Sequence, residues 1–332
     1  MRKNFIQIMT GLHNLIIPRV NINSKESISY AIELVKEYDF DSFIIFSSDI
    51  VKFDKVEPFK IEDFYYFINQ ISKFKKHHYL YIDAERGFGH RCKDGFLYDE
   101  SFIGQDSRDL RLVFDKINHE LKINKIFCNL APVVDIDKNS ENLLKDRTLG
   151  RDVDEIVQNA KIFLKSCSDN NIVGCLKHFP GHGAIKGDTH DFLASSDSPI
   201  NEILELHAKS FEKLFQECDL VMINHGWYKA FENKPKPASM SYNIITDLLK
   251  NKMSYSGLIM IDSVRMKSLA DNYLEREILD GFFSAGGDLF LDPINPIECL
   301  EYIAKIAKKN LDHFQSRINK VLDFKNKFKY HE

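Results

Sequence analysis

The chain has 332 residues, 45 Lys+Arg against 49 Asp+Glu and a formal net charge of −4, with 44% hydrophobic and 28% charged residues. That composition supplies a sizeable core and excludes a disordered chain, and the slight acidic excess argues against a dedicated nucleic-acid binder. No apolar run reaches the ~18 residues of a membrane span. The basic start lacks the apolar stretch and small-residue cleavage site of a signal peptide, so a cytoplasmic enzyme that does not engage a membrane is the expectation.

In chain order, eight short runs rich in Ile, Val, Leu or Phe recur at 14–20, 42–47, 79–83, 125–134, 172–179, 220–225, 257–262 and 288–292. Continuous apolar runs of this length read as strands buried on both faces, hence as parallel sheet. Segments with helical spacing of apolar residues separate them. The first helix opens at Asn23, with Glu26 three residues on, the spacing of a capping box. Lys-rich KFKKHH places His77 and His78 at a solvated helix C-terminus. The basic stretch that closes the chain reads as a charged helix face in solvent. The six cysteines include no CxxC and read as reduced thiols.

Strand and helix alternate eight times, without the GxGxxG turn of a dinucleotide-binding sheet. The expected fold is therefore an α/β TIM (β/α)8 barrel, one domain over residues 1–332 with a C-terminal helical tail. Barrel chemistry lies at the C-terminal strand ends, and polar residues gather there: Asp83 with Glu85 and Arg86 behind it, Asn129 to Asp135 and Asp137, Lys177-His178, Asn224-His225, Asp262 and Asp292. Strand ends also meet solvent, where polar residues are ordinary. Lys177-His178 and Asp262 stand out because they directly abut apolar runs, where a charge is costly unless used or paired.

The most informative stretch is KHFPGHGAIKGDTHD, 177–191, with three histidines and with glycines at 181, 183 and 187. Such a loop is expected to be exposed and able to change shape. Asp188 and His190 are spaced so that the carboxylate can orient the imidazole as an acid/base. A metal site from His178, His182, His190 and Asp188 is an alternative, as is a purely structural loop. Trp227 could stack on a sugar or simply pack against the loop.

KHFPGHG followed by GDTH resembles the loop motif of glycoside hydrolase family 3, in particular its single-domain β-N-acetylhexosaminidases. NLAPVVDID (129–137), DRTLGRD (146–152), MINHGWY (222–228), PASMS (237–241), GLIMIDSVRM (257–266) and AGGDLFL (285–291) resemble further family segments in the right order. The resemblance implies Asp262 as nucleophile and His190, oriented by Asp188, as general acid/base. It implies Asp83, Arg147, Lys177 and His178 as ligands of the sugar hydroxyls and N-acetyl group. The implied activity is exo-acting, retaining removal of non-reducing GlcNAc, from peptidoglycan fragments during cell-wall recycling, with no cofactor or metal. A family 3 glucosidase, xylosidase or phosphorylase, or a sugar-binding relative without turnover, are the other readings. The sequence departs from the family at Ile261, where Ser or Thr is common, at Ser263, where a second Asp is frequent, and across 86–90.

Overall fold

A computed structural model describes residues 11–47, 57–94, 107–137, 144, 147–186 and 193–328. The strands are β1 (Ile16–Ile17), β2 (Arg19–Asn21), β3 (Ser42–Phe46), β4 (Tyr79–Ile82), β5 (Ile126–Asn129), β6 (Leu176–Phe179), β7 (Ser195–Ser196), β8 (Leu220–Ile223), β9 (Trp227–Tyr228), β10 (Leu258–Ile261) and β11 (Phe290–Leu291). Each of the eight apolar runs supplies one stave, with β1 and β2 forming the first on either side of Pro18.

All the pairings between staves are parallel. β2 pairs β3, β3 pairs β4, and β4 pairs β5. A bridge from Cys128 to Val173 carries the ring to the β6 stave, which pairs β8, and β8 pairs β10. Met260 bridges to Leu289, and β11 returns to β1 through Ile16 opposite Phe290 and Ile17 opposite Leu291. The result is the expected (β/α)8 barrel. Strands such as LVMI in β8 and LIMI in β10 are buried at every position, as a parallel sheet between a packed interior and a coat of helices requires.

The coat includes α1 (Lys25–Tyr38), α2 (Ile61–Ile71), α3 (Ser107–Ile123), α4 (Val153–Asp169), α5 (Glu275–Ala285), α6 (Pro296–Ala307) and α7 (Leu311–Lys327), with wide-turned helical segments at Ile203–His207 and Asn243–Lys252. Helix starts follow capping chemistry: Asp152 accepts from the N–H groups of Asp154 and Glu155 at 3.0 and 2.9 Å. At α1 the cap is Ser24, whose Oγ accepts from Ser27 N at 3.1 Å, and not Asn23. Asn23 instead donates to the carbonyls of Ser47 and Glu57, at 2.6 and 3.0 Å, tying two loops together.

Two further sequence expectations are corrected. His77 and His78 lie beyond the end of α2, on the approach to β4, and His78 is half-buried. The basic tail is only in part a solvated face: Lys308, Lys309 and Lys327 are exposed, whereas Lys325 and Arg317 are buried. Lys325 donates to Asp41 and Asn14 at 2.6 and 2.7 Å, and Lys320 to Asp288 at 2.9 Å. Asp41, Asn14 and Asp288 precede β3, β1 and β11, so α7 crosses the base of the barrel and leaves the C-terminal strand ends open. All six cysteines are buried as free thiols. No helix among the described residues is long and apolar enough to cross a membrane.

Candidate active site

The C-terminal ends of the staves carry a dense polar cluster. Lys177 is fully enclosed within β6, where its Nζ donates to Asp83 Oδ1 at 2.8 Å and lies 2.7 Å from Glu85 Oε1. Burial would lower its pKa, but the two carboxylates raise it above the ordinary lysine value. Arg147 grips Glu85 with two parallel bonds, Nε to Oε2 at 2.9 Å and Nη2 to Oε1 at 2.7 Å. Burial pushes Glu85 upward, yet Arg147 and Lys177 hold it well below the usual carboxylate range. Asp83 also receives Arg91 Nη2 at 3.3 Å and keeps part of its surface open to solvent. The turn beneath is fixed by Asn129, whose amide exchanges two 3.1 Å bonds with the Ala84 backbone.

Asp135 anchors the next segment. It is inaccessible to solvent and accepts from the backbone N–H and Nδ1 of His178, at 2.9 and 2.8 Å, and from His182 N at 2.6 Å. Because an ionised carboxylate only accepts, Nδ1 of His178 carries a proton and Nε2 is its remaining polar atom. Asn224 donates to His178 O at 3.0 Å, and Tyr228 OH donates to Gly181 O at 2.8 Å. Burial lowers His182 to about 4 and keeps it neutral.

Residues 181–185 are therefore buried and pinned, not exposed as the glycine content suggests. A Cβ on Gly183 would sit 1.7 Å from Ile136 O, and Gly181 has φ +123. Asp188 and His190 lie outside the described residues, as does Gly187. Lys186 and Ser195, which flank that segment, pair antiparallel, with Lys186 N donating to Ser195 O at 3.0 Å. Ser195 in turn pairs Trp227 beyond the end of β8. Trp227 Nε1 donates to Glu232 O at 2.9 Å, so its ring edge is engaged in local packing.

Asp262 stands at the end of β10, partly buried, and its Oδ1 accepts from Ser263 N at 2.7 Å. Burial would raise its pKa; the charges of His178 and His225, the Ser263 bond and Lys177 bring it below the ordinary value. The fold thus gathers Asp83, Arg147, Lys177, His178 and Asp262 at one end of the barrel. Sequence reasoning assigned no role to Glu85, Asp135 and His225, which it saw only as strand-end residues, and missed Arg19 and Arg91 altogether. Arg19 and Arg91 both stack over Phe46, at 3.9 and 5.1 Å from the ring centre. Among the described residues no group of three His, Cys, Asp or Glu side chains is placed to hold a metal ion.

The family model for the glycosyl hydrolase family 3 N terminal domain matches residues 11–323. The chain belongs to glycosyl hydrolase family 3. It is 27% identical over 240 residues to a β-hexosaminidase A of Pseudoalteromonas piscicida, a match covering 65% of this chain and 40% of that protein. A β-hexosaminidase of Chromobacterium violaceum is 24% identical over 259 residues, 74% of this chain and 71% of the relative. This family 3 chain thus spans less than half of the first relative's length. A family 3 β-N-acetylglucosaminidase structure from Paenibacillus sp. superposes with a TM-score of 0.83 at 20% identity, over 96% of this chain and 62% of that one. A β-N-acetylhexosaminidase structure from Beutenbergia cavernae gives 0.78 at 16% identity, over 96% and 98%.

Proposed function

We propose that this family 3 chain is an exo-acting β-N-acetylglucosaminidase that removes non-reducing terminal GlcNAc by double displacement. The observation that carries the reading is Asp262, a carboxylate at the end of a barrel strand, gripped by the Ser263 N–H and held below its ordinary pKa, against burial, by the charges of His178, His225 and Lys177. A retaining glycosidase needs an anionic nucleophile on one face of the sugar and a proton donor on the other.

Asp262 attacks the anomeric carbon and forms an acylal ester as the bond to the leaving oxygen breaks. His190, oriented by Asp188, gives its proton to that oxygen. A water then attacks the same carbon, returns a proton to His190 and releases Asp262 and the free sugar. An imidazole with a pKa near ~6.5 can donate and then accept around neutrality. Asp83, Arg147, Lys177 and His178 hold the hydroxyls and N-acetyl group. Mutual pairing fixes their geometry before substrate arrives, which spares reorganisation during the reaction. Support for the sugar comes from the relatives' names, β-hexosaminidase and β-N-acetylglucosaminidase. Peptidoglycan fragments as the source rest on the family resemblance.

The test is cleavage of an aryl β-GlcNAc against the aryl β-glucoside, with and without phosphate, by wild type and Asp262→Ala. Expected is cleavage of the GlcNAc compound alone, independent of phosphate, and a loss of at least about 10³-fold in the variant. Preference for the glucoside, or a requirement for phosphate, would move the reading to another glycosidase or a phosphorylase.

A further inference from the structure

Ser263, the residue after Asp262, is held at three atoms. Its N–H donates to Asp262 Oδ1 at 2.7 Å, its carbonyl accepts from His225 Nε2 at 3.0 Å, and its Oγ donates to Asp292 Oδ2 at 2.6 Å. His225 is itself fixed by Ser239 Oγ, 2.9 Å from Nδ1. Asp292 is wholly buried just past β11, in a left-handed conformation (φ +60) that non-glycine residues adopt only at a cost. Arg19 Nε from the first stave and Arg265 Nε donate to its Oδ1 at 2.9 and 3.0 Å, and Arg19 Nη2 bonds its Oδ2.

A carboxylate and a guanidinium, Asp292 and Arg19, buried together at a stave seam carry a large desolvation cost, with the partly exposed Arg265 as a second partner. Closure of that seam does not call for them, because the apolar pairs Ile16–Phe290 and Ile17–Leu291 already close it. What the cluster does hold is the Ser263 side chain next to Asp262, just past the end of β10, where the backbone keeps single bonds to the flanking staves, Asp262 N to Ile223 O at 3.1 Å and Val264 N to Leu291 O at 3.4 Å. Among the described residues no hydrogen bond reaches Asp262 Oδ2.

Resting on the reading of Asp262 as nucleophile, we infer that Asp292 and Ser263 are positioning residues: through the Ser263 N–H they hold the Asp262 carboxylate by Oδ1 and present Oδ2 to the anomeric carbon. Arg19 and Arg265 hold the Asp292 carboxylate in register through their hydrogen bonds. The other groups that act on Asp262, His178 and Lys177 from β6 and His225 from beyond β8, do not depend on the Ser263 hydroxyl.

Ser263→Ala tests this without exposing the fold to an unpaired charge, since Asp292 keeps both arginines; Ser263→Thr restores the hydroxyl. In Ser263→Ala the loss of the tether to Asp292 should lower kcat about tenfold, leaving KM and the affinity for free GlcNAc unchanged. The acid limb of kcat/KM and the Asp262 carboxyl titration, followed by 13C NMR, should both move up because an aimed donor has been lost. Ser263→Thr should recover rate and titration together. An Asp262 titration unmoved in Ser263→Ala overturns the clamp, whatever the rate does. If the wild type cleaves no aryl β-glycoside, the proposed activity falls, while the titration still decides whether Ser263 holds Asp262.

Discussion

Asp135 makes its three bonds with two oxygens and no contact with solvent, and those bonds fix both His178 and His182. Asn at this position offers a single acceptor oxygen, so at least one buried donor loses its partner. Asp135→Asn should therefore cost about 2–3 kcal/mol in urea unfolding and reduce turnover by misplacing the imidazole. An unchanged midpoint would show that the carboxylate is not the anchor. Side chains beside an apolar run were legible in the sequence: Lys177, His178 and Asp262 each interrupt or end one, and burial forces such a charge to have a partner. Arg19 was not legible. It lies inside what reads as a strand, and its carboxylate is 273 positions away. Ser24 and Asn23 are both capping types, and only the backbone path decides between them.

At the scale of elements, eight staves were readable because strands buried on both faces leave an unbroken apolar signature. The loop after β6 was misread in its first half. Glycine signals either freedom or close approach, and here Gly183 permits contact with the backbone at Ile136, where a side chain has no room. That difference is testable. Gly183→Ala must displace the backbone of one loop or the other, with an expected loss of about 1–3 kcal/mol and a fall in kcat, because the same loop leads to the segment bearing Asp188 and His190. A Gly183→Ala variant with wild-type melting temperature and turnover would restore the flexible reading. The dyad itself, Asp188 with His190, was legible as a motif and lies outside the described residues, so its assignment rests on the sequence alone.

At the scale of the molecule, chemistry at one end of the barrel is separated from a charged plug at the other. The plug was illegible because a run of Lys and Arg reads as solvated until the carboxylates that meet it, Asp41 and Asp288, are brought in from distant turns. His13 belongs to this base, accepting from Asn14 Nδ2 at 3.0 Å through an unprotonated Nε2. Burial lowers His13, His78, His90 and His182 from 6.5 to about 4. The unfolded chain protonates these four rings below about pH 6.5, whereas the folded chain holds them neutral down to about 4. In that window the unfolded state binds more protons, so stability must fall as the pH falls. The depressed carboxylates act in a lower range. Burial opposes ionised Asp41, Glu85 and Asp135, but Lys325, Arg147 with Lys177, and His178 respectively override it. Their contribution is present above the ordinary carboxylate range and is lost as the pH drops through their folded values. The urea midpoint should accordingly decline steadily from pH 7 to pH 4.5, before acid unfolding of the carboxylate pairs begins. His13→Gln, which keeps a polar side chain beside Asn14 but cannot titrate, should make that decline shallower. A midpoint flat between pH 7 and 4.5 in the wild type would mean that these rings are free to protonate in the folded barrel.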